Sequence, residues 1–155
     1  MADTSLELTE LNTKQYIVVQ IGSEKYGIDI GYIDNIVRMQ KITRVPKAQS
    51  YFNGVINLRG EVVAVMSIRK KMGLEEDVFT DKSRIIILKL EDRGLIGIIV
   101  DAVNEVITLS DDQIEAPAAG PKKGKDSFIN GIGKKGDTLV SLFEINAIVD
   151  EKEEK

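Results

Sequence analysis

Neither cysteine nor histidine occurs anywhere in the 155-residue chain. Those absences exclude thiol nucleophiles, disulfides, thiolate or imidazole metal sites and histidine-based triads. Any catalysis would rest on carboxylates, lysine, tyrosine or serine alone. Positive charge is not in excess either. Acids number 25 against 21 lysines and arginines, a net charge of −4, which argues against general attraction to nucleic acid or to an anionic membrane. Long apolar runs are missing too. LIGIIV, residues 95–100, falls far short of the ~20 residues of a spanning helix. The start, MADTSLELTEL, has no basic segment followed by an apolar one, so no signal peptide is expected. A cytoplasmic protein without membrane insertion is the expectation.

What the chain does contain is a repeat. YGIDIGYIDNIV (residues 26–37) aligns without a gap on IGIIVDAVNEVI (residues 96–107). Gly27 falls on Gly97, and Ile28/Ile98, Ile30/Val100, Ile33/Val103, Asn35/Glu105 and Ile36/Val106 follow in register. Further on, NGVINLRGEVVAVMSI resembles NGIGKKGDTLVSLFEI, with Gly60 on Gly136, Glu61 on Asp137 and Ile68 on Ile145. Two matches in the same order, offset by a small insertion, point to two related halves.

Both halves read as strands. QYIVVQI, KYGIDI, GVINL, EVVAVMSI, RIIILKL, LIGIIV, EVITL and DTLVSLF are short, rich in β-branched residues and bounded by turn formers. Helical turns are expected at IRKKMGL and EINAIVDE. The fold class is therefore all-β, as one or two small barrels rather than a parallel sheet. A single domain should span residues 14–150, with subdomains at about 14–80 and 81–150. Residues 70–83 would join the halves, residues 110–127 form a surface loop, and 1–13 and 151–155 fray.

Several motifs carry less than their letters suggest. GIGKKG (residues 131–136) fits a dinucleotide-loop pattern but precedes a strand rather than a helix, and reads as a strand-to-strand turn. GPKKGKD (residues 120–126) has its glycines too close, and Asp126 stands where Ser or Thr would hold magnesium. Lys122, Lys123, Lys125, Lys134 and Lys135 would suit a small-barrel RNA-binding protein. Only Phe128 lies nearby to stack on a base. The acids of LEEDVFTDK and SDDQIE lack the ligand ladder of a calcium loop. No cofactor or metal site is expected.

Arg59 is harder to dismiss. Hairpin turns prefer Asn or Asp before the glycine, because those residues tolerate positive φ. Here LRGE places a guanidinium there. The row Ile30, Ile33, Ile36, with its counterpart Val100, Val103, Val106, is equally unusual. Spacing by three suits a short helical turn with one exposed edge better than a strand.

YGIDIGYIDNIVR, VPKAQSYFNGVINLRGEVVAVMSIRKKMG, GIIVDAVNEVITL and FINGIGKKGDTLVSLFEIN together resemble the CheW family of bacterial chemotaxis coupling proteins, over nearly the whole chain. The resemblance implies two intertwined five-stranded SH3-like barrels sharing an apolar core, and no enzymatic activity. It implies two partners, the cytoplasmic tip of a chemoreceptor and the regulatory domain of a chemotaxis histidine kinase. The protein would be a monomer when isolated, recruited through receptor arrays to the inner face of the membrane. The receptor-binding positions it implies are Ile30, Ile33, Asn35, Ile36, Arg59, Val100 and Val103. Those for the kinase are Thr43, Arg44, Val45, Pro46 and Lys47. Family members commonly pair the turn arginine with a glutamate. Asn35 occupies that place here, so Arg59 should turn to Asp34, Glu61 or an acid on a partner. Ala64, Ser67 and Ile68 also depart from the family pattern, and are expected to leave the fold intact.

Overall fold

The structure is a computed structural model, described here for residues 13–91, 94–116 and 127–150. The expected lysine patch at Lys122, Lys123 and Lys125 lies outside the described residues, as do residues 1–12 and 151–155. Eleven strands are assigned: β1 Thr13–Ile21, β2 Glu24–Asp29, β3 Ile33–Arg38, β4 Phe52–Leu58, β5 Glu61–Ser67, β6 Arg84–Leu90, β7 Gly94–Val100, β8 Ala102–Ser110, β9 Ile114–Glu115, β10 Ile129–Lys135 and β11 Thr138–Phe143. The two helical turns are α1, Ile68–Lys71, and α2, Ile145–Ile148.

The strands form two sheets, ordered β8-β1-β2-β11-β10-β9 and β3-β6-β7-β5-β4. Both are mixed and follow one plan. A long hairpin (β1–β2 or β6–β7) meets a second hairpin (β10–β11 or β4–β5) through a parallel pair, β2 with β11 or β7 with β5. The repeat is thus real in space, but its halves are not the barrels. Residues 33–100 supply the whole second sheet, whereas the first combines β1–β2 with β8–β11. The strands therefore do not divide at residues 80/81. Each half lends its leading hairpin to the sheet built by the other. The first sheet also has six strands rather than five, the sixth being the two-residue β9.

Each sheet curls around a small core of its own. Tyr16, Val18, Ile107, Leu109, Val140 and Leu142 fill one; Ile56, Val63, Val65, Ile85, Ile87 and Ile99 fill the other. The opposite faces pack together into a shared core that includes Ile17, Val19, Ile28, Met66, Ile86, Leu88, Ile98, Val100 and Phe143. Strands β1 and β6 are therefore buried on both sides, which is why they read as unbroken apolar runs rather than alternating ones. Gly27 and Gly97, paired by the repeat, occupy the same crowded place in their barrels. A Cβ at Gly27 would lie 2.8 Å from Leu142 Cδ2, and one at Gly97 2.8 Å from Ile85 Cγ2.

The spacing-by-three row is not helical beyond Ile30. Ile30 opens a single 3-10 turn, Ile30–Tyr32, while Ile33 and Ile36 lie in β3. A β-bulge between Ile33 and Asn35 resets the alternation, pairing Ile33 with Leu88 and Ile36 with Ile86, which share a face. The same device recurs in β8, where Val103 pairs with Val19 and Val106 with Ile17 across a bulge. Period three in sequence is period two plus one extra residue. GIGKKG likewise belongs mostly to β10, with the turn at its far end.

Candidate functional site

Two surfaces of the second barrel collect the residues singled out by sequence. The first runs along β3, an edge strand bonded only to β6. Ile33 and Ile36 are half-buried and pack at the rim of the shared core, as does Val103 of β8. Ile30, at 40% exposure, stands beside them in sequence as an open apolar side chain. Val100 differs. It ends β7 fully buried in the shared core and offers no surface for contact, which corrects its expected role.

The Arg59–Gly60 turn joins β4 to β5 with Leu58 opposite Glu61. Both turn residues have positive φ, 55° at Arg59 and 83° at Gly60, as a type I′ hairpin requires. Asn57 Oδ1 accepts a hydrogen bond from the Gly60 N–H at 2.9 Å. A guanidinium in this conformation is strained, since the left-handed region crowds a Cβ against the following carbonyl. Within the chain, neither Asp34 nor Glu61 takes its charge. Asn35 Oδ1 accepts instead from the Ile36 N–H at 2.8 Å, and Arg59 forms no ion pair or hydrogen bond among the described residues.

The second surface lies at the other end of β4. Thr43 closes the barrel by exchanging two backbone hydrogen bonds with Val55, each 2.8 Å long. The chain then runs out through Arg44, Val45, Pro46 and Lys47, all exposed. Lys47 has φ 64°, and it and Arg59 are the two non-glycine residues with positive φ among those described. Strain of this kind persists only where surrounding structure enforces it, and it gathers at functional sites. Arg44, Val45, Pro46 and Lys47 form one wall of a cleft of about 690 Å³. Phe52, Asn53, Lys70, Glu76 and Phe79 contribute to the rest of its lining.

Sequence reasoning missed those last five residues. It also missed a polar strap next to them. Arg69 of α1 forks onto Asp101, its Nε donating to Oδ1 at 3.2 Å and its Nη2 to Oδ2. Asp101 Oδ2 accepts in addition from the Gly22 N–H at 2.8 Å, and the Asp101 N–H donates to Gln20 O at 2.9 Å. On its other side Arg69 approaches Asp77 at 4.0 Å, and Ser67 Oγ donates to that carboxylate. Burial holds the Asp77 carboxyl above its ordinary pKa, opposed by the Ser67 hydrogen bond and the Arg69 charge. The strap thus ties the end of the second barrel to the β1–β2 turn of the first.

The described part of the lysine loops offers little to stack or pair with a nucleic acid. Phe128, the one aromatic near the lysine loops, is buried, and Lys134 is engaged by Glu115 at 2.8 Å. Among the described residues no helix is long and apolar enough to cross a membrane.

Comparison with known proteins gives a consistent likeness. A family model described as a CheW-like domain matches residues 15–153. The chemotaxis protein CheW of Bacillus subtilis is 37% identical over 139 residues, which cover 90% of this chain and 88% of that protein. Its counterpart in Helicobacter pylori is 33% identical, over 87% of this chain and 81% of its own. Among solved structures, the scaffolding protein TtCheW from Thermoanaerobacter tengcongensis superposes with a TM-score of 0.80 at 31% identity, covering 91% of this chain and 97% of that one. These likenesses lend no support to an RNA-binding role.

Proposed function

The chain belongs to the CheW-like domain family, and on that footing we propose that it is a non-catalytic chemotaxis adaptor. It would hold a chemoreceptor's cytoplasmic tip and the regulatory domain of a histidine kinase at the same time. One observation carries the reading: the two strained basic turns sit at opposite ends of one strand. β4 has seven residues, a span of roughly 20 Å. Phe52 and the cleft lie at one end, Leu58 and Arg59 at the other. β3, with Ile33 and Ile36, is the opposite edge strand of the same sheet, with three strands between it and β4.

In this reading Ile30, Ile33, Ile36, Val103 and Arg59 meet the receptor. Asn35 orders the bulge that presents them. Thr43, Arg44, Val45, Pro46 and Lys47 meet the kinase. Two partners on separate surfaces are held at high effective concentration without competing for the same residues. Signal passes only if the adaptor's contacts differ between the kinase's active and inactive arrangements, because equal contacts shift no equilibrium. A cytoplasmic location at receptor arrays follows from the same proposal.

The test is a pair of titrations of the full chain, one with the isolated kinase regulatory domain and one with a receptor-tip fragment. Ile33→Asp should weaken receptor binding by about tenfold or more, since it sets a carboxylate in an apolar contact, and leave kinase binding unchanged. Loss of both in parallel, with the melting temperature preserved, would sink the two-surface reading.

A further inference from the structure

The cleft beside β4 has a chemistry of its own. Arg44, Lys47 and Lys70 line it against the single carboxylate of Glu76, in a chain that is acidic overall. Apolar side chains stand at its edges, with Val45 48% and Phe79 51% exposed. Asn53 also lines the cleft, and its Oδ1 is buried with no hydrogen-bond partner.

The position of Asn53 explains how that oxygen came to be stranded. The register of β4 against β5 jumps between Phe52 and Gly54, so Asn53 is the extra residue of a bulge. A bulged residue leaves the alternation of the strand and its side chain is re-aimed. The other half carries the same Asn-Gly pair and the same bulge in β10, but there Asn130 is exposed. Equivalent backbones thus give a solvated amide in one barrel and a stranded carbonyl in the other.

We propose that the cleft receives an extended segment of the kinase regulatory domain. That segment carries a carboxylate beside an apolar side chain. The proposal rests on the adaptor reading and gives one of its surfaces a ligand chemistry. Charge selects the segment. A basic one would face three cations, and a purely apolar one would desolvate them without pairing. The carboxylate answers Arg44, Lys47 and Lys70; the apolar side chain covers Phe79 and Val45.

The full chain and three variants are titrated with the kinase regulatory domain at low and at high salt. Lys70→Glu reverses a charge on an exposed side chain and should weaken binding about tenfold. Lys89→Glu, an exposed lysine of β6 away from the cleft, should stay within about twofold, as a charge outside the contact. Arg44→Glu, another lining cation, repeats the reversal should Lys70→Glu fail to fold. Wild-type affinity should fall as salt rises. Saturable wild-type binding that neither reversal alters would overturn the cleft and leave the adaptor standing. No binding by the wild type would overturn both.

Discussion

The chain passes between its barrels twice, and the two passages are built in opposite ways. At the first, from β2 to β3, one 3-10 turn carries the chain across, with Asp29 Oδ1 accepting from the Gly31 N–H at 2.9 Å. At the second, from β7 to β8, Asp101 is pinned by Arg69 and by the backbone of Gln20 and Gly22. The repeat aligns Ile30 with Val100, yet Ile30 is open and Val100 sealed. The turns differ in the same spirit. Gly136 takes its positive φ without a side chain, whereas Arg59 holds a guanidinium in a conformation that disfavours it. Internal repetition therefore predicts where a residue stands, not whether it is available. The proposed contacts gather in the half whose junction was left open.

Breaking the pinned junction should have the largest effect. Asp101→Ala takes both hydrogen bonds from the Arg69 guanidinium, which is 15% exposed and keeps only Asp77 at 4.0 Å, and should cost about 3 kcal/mol in a denaturant melt. Asp29→Ala, at the open junction, loses only a cap and should cost about 1 kcal/mol. Equal losses would remove the contrast. Next come the paired glycines. Gly97→Ala drives a Cβ towards the branched Ile85 and should cost about 2 kcal/mol. Gly27→Ala meets the tip of Leu142, which can swing aside, and should cost about half as much. The smallest effect carries the opposite sign. Arg59→Gly relieves the left-handed strain and should raise stability by about 0.5–1 kcal/mol, while receptor-tip binding falls. A stability loss in that variant would make Arg59 a structural residue.

Much of this was legible in the sequence, and the failures have physical causes. The β-rich pattern, the repeat, the helical turns at α1 and α2 and the family likeness came from residues alone. β3 was hidden because its bulge turns a strand's period into spacing by three, which mimics a helix. The exchange of hairpins between the halves was not legible, because strand order in sequence says nothing about which hairpin is lent to which sheet. Val100 was misjudged because the pinning of Asp101 depends on Arg69, 32 residues away. Asn53 did leave a trace: Asn-Gly recurs in both halves, at 53–54 and 130–131, and a repeated Asn-Gly inside a strand pattern is a bulge signal.

The lending of hairpins also sets a timetable for synthesis. Of the described strands, a ribosome releases β1 and β2 first, β1 being apolar on both faces from Tyr16 to Val19. Yet β1 finds its outer partner only in β8, and β2 finds its own only in β11. The barrel of residues 33–100 has all its strands long before then. It should condense first, while the leading hairpin waits with one core face covered and one bare. Pairings so distant in sequence form slowly and leave apolar surface exposed meanwhile. The first strands made are the last to be enclosed.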